Sequence, residues 1–202
     1  MTPAATLPST SALIPEPPRP NPLLRLGVAV AEKITGRRLL PARLLAWYPK
    51  AALSSGLLES LIAHRDGRLD ERLLHLVRLA ASFAASCPFC IDMNGHTWTE
   101  HGVTTEEIEV LRGLRDSASS LTELELLAIG YAHRISATPL RFEPEFTDRL
   151  TATFTEREIV ILASTAAQVN YWARLIQGLG IPPAGFSDSC PLPGDPRHAS
   201  RG

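Results

Sequence analysis

Apolar residues recur every three or four positions along most of the chain, which is the spacing of one face of an α-helix. This pattern predicts helices over 23–36, from Pro41 to about Tyr48, over 50–64, and from Asp70 onward, with Asp70 as the cap. No segment alternates apolar and polar residues for long enough to predict a β-strand. The sequence therefore predicts an all-α fold, a bundle of several helices.

Three later helices share one start signal, the capping box Thr-x-x-Glu. In this motif the Thr and Glu side chains satisfy N–H groups that the first turn leaves free. The boxes begin at Thr104, Thr122 and Thr155, and they predict helices over about 104–114, 122–137 and 155–178. The last of these is apolar on most faces, so we expect it to be a central, buried helix.

The distribution of proline sets the domain boundaries. Of the 17 prolines, seven fall in residues 1–22 and five in residues 182–196. Because proline interrupts helices, we expect a Pro-rich flexible arm over 1–22, one helical domain over 23–186 and a loose tail over 187–202. A chain of 202 residues that is 45% hydrophobic can build such a domain without a disulfide framework.

The charge and hydropathy of the chain exclude several classes of function. A net charge of −1 argues against non-specific binding to nucleic acid or to anionic membranes. No apolar run is long enough to span a bilayer, and the first residues lack the basic and apolar regions of a secretory signal. The sequence thus predicts a cytoplasmic protein with no membrane or nucleic-acid partner.

The strongest chemical signal is the Cys-x-x-Cys motif formed by Cys87, Pro88, Phe89 and Cys90. Proline is favoured at the first position of a helix, so we expect Cys87 at the N-cap and Cys90 in the first turn. The free N–H groups and the positive dipole end stabilise a thiolate there, which predicts a lowered pKa for Cys90. A thiolate attacks disulfides and peroxides. The pair therefore indicates reversible dithiol–disulfide chemistry.

Two other interpretations of the cysteine pair stay open. A structural zinc site needs about four ligands, and the further ligands available are His96, His101 and Cys190 in the tail. Alternatively, both cysteines pack as small apolar residues. We expect neither a metal site nor a cofactor.

Helical geometry indicates how near the polar residues that follow Cys90 would lie to it. Asn94 lies one turn later on the same face, whereas His101 lies about 16 Å along the axis if the helix continues that far. On the preceding helix, His75 is a candidate proton acceptor, and Glu71 lies one turn earlier on the same face, where it could orient the imidazole. The alternative interpretation is that His75 is an ordinary, partly buried histidine of its helix.

Two longer stretches carry a family resemblance. They are RLLHLVRLAASFAASCPFCIDMN, which leads one helix into the Cys-x-x-Cys helix, and FTEREIVILASTAAQVNYWARLIQGLGIPP, a closing helix. Together they resemble the carboxymuconolactone decarboxylase / alkylhydroperoxidase D-like superfamily, and the resemblance runs from about Leu44 to Phe186. It implies a multi-helix alkylhydroperoxidase D-like bundle that assembles into homo-oligomers.

The same resemblance implies roles for the site residues. Cys90 would attack the hydroperoxide and become a sulfenic acid, Cys87 would condense with it, and an external dithiol would reduce the disulfide. The chain departs from the family at two positions, since the family's Glu falls on His75 and its His on Asn94. His75 can still act as a base. Asn94 can hydrogen-bond a sulfur or a water but cannot carry a proton at neutral pH.

The sequence therefore predicts a thiol-dependent antioxidant enzyme of the alkylhydroperoxidase type, with a hydroperoxide or disulfide substrate and an external dithiol reductant. A second hypothesis is a decarboxylase or lyase for a small carboxylated ring compound, which would need an anion-binding arginine such as Arg72, Arg78 or Arg174. A third is a non-catalytic oligomeric helical protein with structural cysteines. Rapid modification of Cys90 below about pH 7 would favour the first hypothesis.

Overall fold

The computed structural model describes residues 12–61 and 66–186, and within them the chain forms nine α-helices and no β-strand. In chain order these are α1 (Pro22–Thr35), α2 (Leu40–Leu45), α3 (Pro49–Leu61), α4 (Glu71–Ala84), α5 (Pro88–Asn94), α6 (Thr105–Leu111), α7 (Glu123–Ser136), α8 (Pro144–Thr153) and α9 (Glu156–Gly178). The all-α prediction is confirmed. The predicted tail over 187–202 and the first half of the predicted arm lie outside the described residues.

The predicted helix starts are confirmed at the level of individual hydrogen bonds. Asp70 caps α4 by accepting from the N–H of Leu73 at 2.8 Å. The capping boxes of α6, α7 and α9 each form in both directions. The sequence pattern missed α8, because this helix buries only Phe146 and Leu150 and so shows little apolar periodicity.

Helix α4 is the centre of the bundle. Ten of its fourteen residues are buried, and it packs against α5, α6, α7 and α9. Helix α9, which we expected to be central, packs against α4, α5, α7 and α8. The two helices therefore form the frame on which the Cys-x-x-Cys helix α5 rests.

Two arginines join the capping boxes to the start of α4. Arg72, on α4, donates to Glu107 of α6 at 2.7 Å and to Glu125 of α7 at 2.8 Å. Arg68, in the turn before α4, donates to Glu158 of α9 at 2.7 Å. Each glutamate thus caps its own helix and also fastens that helix to the central one.

The described part of the predicted arm contacts the body of the protein. The N–H of Leu13 donates to the carbonyl of Leu179 at 2.9 Å, and the indole of Trp47 donates to the carbonyl of Pro15 at 2.8 Å. Glu16 forms ion pairs with Arg38 and Arg43. Residues 12–16 therefore hold the end of α9 and helix α2 together.

Helix α1 borders a cavity. None of its residues is buried, and it is held at its C-terminal end by Glu32, which accepts from Arg43 at 2.6 Å and from the N–H of Leu39 at 2.8 Å. Residues of α1, α3, α4, α5 and α9 line the cavity. Among the described helices, none is both long and apolar enough to cross a membrane.

Candidate active site

The Cys-x-x-Cys helix begins as the sequence predicts. Cys87 is the N-cap of α5, Pro88 occupies the first turn, and the Cys87 Sγ accepts from the N–H of Cys90 at 3.3 Å. Ser86, just before, has a left-handed φ of 48°, and the N–H of Cys87 bonds back to the carbonyl of Ser82 at 3.3 Å. This left-handed residue ends α4 and turns the chain at once into α5.

The two thiols differ in their access to the cavity. Both are buried, Cys87 at 0% and Cys90 at 3% exposure, but of the two it is Cys90 that lines the cavity of about 1200 Å³. Of the two thiol residues, Cys90 is therefore the one that borders the space a substrate would occupy.

The pKa values of the two thiols move in opposite directions. The interaction with Cys90, the backbone N–H groups of Cys90 and Phe89 and the side chain of Gln177 together outweigh burial and lower the pKa of Cys87. The interaction with Cys87 and burial raise the pKa of Cys90.

The expectation of a lowered pKa for Cys90 is therefore wrong. The N-cap sulfur of Cys87 accepts the first-turn N–H, which favours a thiolate on Cys87 over one on Cys90. The side chain of Gln177 on α9, 90 positions further along the chain, also helps to lower the pKa of Cys87, and no local motif could have indicated it.

His75 lies on the wall of the same cavity. It is 5% exposed, and its Nε2 makes no hydrogen bond. Burial lowers the pKa of His75 to about 3, with smaller contributions from His101 and Arg78. His75 is thus a neutral imidazole at pH 7, and it shares the cavity with Cys90 without bonding to it.

His101 lies against His75 because the chain turns back after α5, and not because the helix continues. Helix α5 ends at Asn94, so His101 is not carried further along its axis. The chain instead turns back, and the ring of His101 stacks on His75 with 4.3 Å between centroids. Arg72 donates to the carbonyl of Gly102 at 2.6 Å and holds this turn against α4.

The two auxiliary candidates do not act on the thiols or on His75 in this structure. The side-chain amide of Asn94 donates to the hydroxyl of Ser82 on α4 at 2.9 Å, so it serves to join α5 to α4. Glu71 lies at an exposed position, and it does not bond to the Nε2 of His75.

Asp92 is a structural residue of the site that the sequence interpretation missed. It is 1% exposed, and its Oδ2 accepts from the consecutive N–H groups of residues 184–186 at 2.8–3.1 Å. This clamp holds Phe186 on the cavity wall, with its ring 6.3 Å from that of Phe89. An acidic residue in an otherwise apolar helix, two positions after Cys90, was the available signal.

The buried state of His75 predicts a loss of stability in mild acid. Its pKa is 6.5 when unperturbed and about 3 in the folded protein, so the unfolded chain binds the proton first as the pH falls. The stabilisation is complete above pH 6.5 and falls towards pH 3, by up to about 1.4 kcal/mol per pH unit. Urea unfolding of His75→Phe should show a flatter pH dependence between about pH 6.5 and about pH 4.5, above the range of carboxylates.

The matched control for this prediction is His96→Gln, since His96 is an exposed histidine beside the same cavity. It should keep the slope of the unsubstituted protein. Equal slopes for the unsubstituted protein and His75→Phe would contradict the assignment.

Among the residues that the structure describes, no group of three or more His, Cys, Asp or Glu side chains could hold a metal ion. Cys190, which the zinc interpretation would use, lies outside those residues.

Comparisons with known proteins place this geometry among related structures. The model of the carboxymuconolactone decarboxylase family matches residues 51–133. The alkylhydroperoxidase AhpD core of Ralstonia eutropha JMP134, a peroxidase-related protein, superposes with a TM-score of 0.71 at 15% identity, over 85% of this chain and 92% of that one. No curated protein sequence matches this chain.

Two further structures are similar. An Agrobacterium tumefaciens protein of unknown function that carries the name AhpD has a TM-score of 0.57 at 25% identity, over 73% of this chain and 97% of that one. The debrominase Bmp8 has a TM-score of 0.67 at 18% identity, over 82% of this chain and 88% of that one. The likeness to the Ralstonia protein and to Bmp8 shows a shared fold.

Proposed function

The chain belongs to the carboxymuconolactone decarboxylase / alkylhydroperoxidase D-like superfamily, and on that premise we propose that it reduces organic hydroperoxides or disulfides through Cys87 and Cys90. One observation carries the proposal. Cys90 lines the cavity, and the Sγ of Cys87, at the start of the same helix, accepts from the N–H of Cys90 at 3.3 Å. A substrate in the cavity thus meets one thiol with a second thiol close beside it.

The proposed reaction begins with transfer of the Cys90 proton to Cys87. The Cys90 thiolate attacks an oxygen of the hydroperoxide, the O–O bond breaks, and a sulfenic acid and an alkoxide form. The alkoxide takes the proton from Cys87 and leaves as the alcohol. The Cys87 thiolate then attacks the Cys90 sulfur and expels hydroxide, which leaves a Cys87–Cys90 disulfide.

We assign His75 to the substrate rather than to the thiols. His75 lines the cavity and its buried Nε2 makes no hydrogen bond, and a buried polar atom gains most from a bond that a substrate would supply. In the proposal, an external dithiol of the cytoplasm reduces the disulfide, and the protein works as a homo-oligomer. Asn94 and Glu71 have supporting roles only.

The test is direct detection of the disulfide. Reduced protein treated with one equivalent of tert-butyl hydroperoxide, then alkylated and mapped by mass spectrometry, should contain a Cys87–Cys90 disulfide and an alkylated Cys190. A Cys190→Ser variant should give the same product and excludes pairing with the third cysteine. Full alkylation of Cys87 and Cys90 with the hydroperoxide unconsumed would overturn the proposal.

A lyase acting on a carboxylated ring compound is the second candidate, and one observation favours it. Of the three arginines considered for anion binding, Arg78 lies on the cavity wall, whereas Arg72 is engaged with Glu107 and Glu125. Under this alternative the thiols stay reduced in the presence of hydroperoxide. The same mass-spectrometric experiment therefore separates the two functions.

A further inference from the structure

Half of the large apolar side chains that are exposed in the described residues lie between positions 23 and 57. Each of them is 51–80% exposed. They are Leu23, Leu26, Val30 and Ile34 on α1, Trp47 and Tyr48 between α2 and α3, and Leu53 and Leu57 on α3. The spacing of the four on α1 places them on one side of that helix. We call the surface that these eight side chains form the α1–α3 face.

The α1–α3 face is larger than the apolar surface that a single chain normally leaves in water. Eight large side chains exposed to this degree present on the order of 1,000 Å². The largest apolar patch on a monomeric protein is usually about 300–600 Å², whereas each partner in a stable protein interface buries about 800 Å². The size of the face therefore indicates that another macromolecule covers it.

Polar contacts attach the two helices of this face to the body of the protein. Glu32 of α1 accepts from Arg43 at 2.6 Å. On α3, the buried hydroxyl of Ser55 hydrogen-bonds the hydroxyl of Tyr171 on α9 at 2.6 Å. These contacts fix the positions of α1 and α3 without covering their exposed apolar side chains, which stay available to a partner.

The cavity beside Cys90 opens on the same face. Leu23, Ile34 and Leu53 line it and are 70–80% exposed, whereas Cys90 and His75 line it and are 3% and 5% exposed. The cavity therefore has an apolar outer part, open to solvent, and a buried inner part. Its volume of about 1200 Å³ exceeds the range of about 300–1,000 Å³ that is usual for small-molecule sites. A small substrate would leave the outer part unfilled.

The shape of the α1–α3 face decides between its possible partners. The surface of a bilayer is flat on the scale of a helix, so it would leave the outer part of the cavity, which α1 and α3 both line, unfilled. A ridge of side chains on a helix fits such a groove, and the exposed stripe of α1 is itself a ridge. A face that carries both a ridge and a groove can pair with its own copy about a two-fold axis, which is the commonest symmetry of oligomers.

We propose that two copies of this chain pair through the α1–α3 face, and that the α1 stripe of one copy closes the outer part of the cavity of the other. The substrate pocket is then the inner part, which Cys90 and His75 line, and a single chain does not complete it. This inference rests on the proposed function for the role of the pocket, whereas the pairing itself involves no thiol chemistry.

The first test is the mass of the reduced, full-length protein in solution, measured by analytical ultracentrifugation over a range of concentrations. The unsubstituted protein should be an oligomer of the 21.9 kDa chain. Ile34→Glu and Leu53→Glu should each weaken the pairing by about tenfold or more, because each would bury a carboxylate among apolar side chains of the interface. Both positions are exposed in the single chain, so circular dichroism should show an unchanged helix content.

Val160→Glu and Leu114→Glu are the matched controls. These residues are 63% and 66% exposed, and neither belongs to the α1–α3 face. Each control also replaces an exposed apolar side chain by glutamate, and each should leave the dissociation constant of the oligomer unchanged. The comparison separates the loss of a specific interface from a general effect of added charge.

The second test asks whether the partner copy completes the pocket. The rate at which N-ethylmaleimide modifies Cys90 in the reduced protein, followed by mass spectrometry, should rise severalfold in Ile34→Glu and Leu53→Glu at concentrations where they are monomers. The reason is that the outer part of the cavity would then be open. Neither test uses a hydroperoxide, so failure of the pairing and failure of the proposed chemistry are separate observations.

Four results would overturn the inference. The first is an unsubstituted protein that is monomeric at every concentration measured. The second is an equal dissociation constant in Ile34→Glu, Leu53→Glu and the two controls. The third is equal modification of Cys90 in the paired and the monomeric forms, which would show that the partner does not close the cavity. The fourth is a monomer that binds vesicles of phosphatidylcholine and phosphatidylglycerol and loses this binding in Leu53→Glu, since the face would then dock on lipid.

Discussion

Substitution of Cys90 by serine is expected to abolish hydroperoxide consumption, with a loss of about three orders of magnitude or more. A serine hydroxyl does not ionise near pH 7, so the group that faces the cavity would no longer be a nucleophile. The measurement is consumption of tert-butyl hydroperoxide with dithiothreitol as the external reductant. Unchanged consumption in Cys90→Ser would refute thiol chemistry at this site.

Cys87→Ser is the matched comparison, because it removes the second thiol, whose Sγ accepts from the N–H of Cys90. This variant should consume one equivalent of hydroperoxide and stop as the Cys90 sulfenic acid, which dimedone traps. The rate of that single turnover should fall, since the thiolate that accepts the Cys90 proton is gone. If the pattern were reversed, with dimedone on Cys87 in Cys90→Ser, the thiol favoured as the thiolate would itself be the attacking group.

Arg72→Met is expected to destabilise the protein by about 3–5 kcal/mol, the usual cost of removing one partner from a buried ion pair. The Glu107 side chain is 0% exposed and that of Glu125 is 11% exposed. Burial alone would raise the pKa of Glu107, and the hydrogen bond from Arg72 helps to lower it. Without the guanidinium, both carboxylates would be buried without their cation. Urea unfolding at neutral pH measures the loss.

Two further variants give this prediction its controls. Arg157→Met removes an exposed ion pair with Asp66 and should cost less than about 1 kcal/mol. Adding Glu107→Gln to Arg72→Met should recover part of the loss, because it removes one of the unpaired charges. A loss below about 1 kcal/mol in Arg72→Met would show that water reaches these carboxylates.

Local signals in the sequence were sufficient for most of the helices and for the start of α5, the Cys-x-x-Cys helix. A capping box needs only residues within one turn, and Pro88 restricts its own φ, so the N-cap position of Cys87 follows from adjacent residues. The same kind of signal was too weak for α8, which buries two side chains. The distance predicted for His101 assumed that the helix continues past Asn94, whereas α5 ends there with Gly95 at its C-cap.

The chemistry of the thiol pair depended on contacts that sequence spacing does not encode. The dipole of α5 favours a thiolate in general, but the interaction between the two thiols and burial raise the pKa of Cys90, while the side chain of Gln177 is among the groups that lower the pKa of Cys87. A pKa responds to the dielectric environment and to every nearby charge, whatever its position in the chain. The Cys-x-x-Cys motif therefore indicated the pair of thiols, but the local helix dipole assigned the lowered pKa to the wrong member of the pair.

The sequence by its own local physics specifies an all-α chain, its helix starts and a Cys-x-x-Cys motif at a helix N-terminus, because those features involve residues within a few positions of each other. Three other features depend on the tertiary fold. Arg72 bonds to Glu107, Glu125 and the carbonyl of Gly102. Asp92 accepts from the backbone of residues 184–186, and His75 lines the same cavity as Cys90. These pairings join groups separated by up to 94 positions. One such contact contributes less free energy than the conformational entropy lost in closing so long a loop. These contacts therefore form only when burial of the apolar faces of α4 and α9 has already brought the elements together.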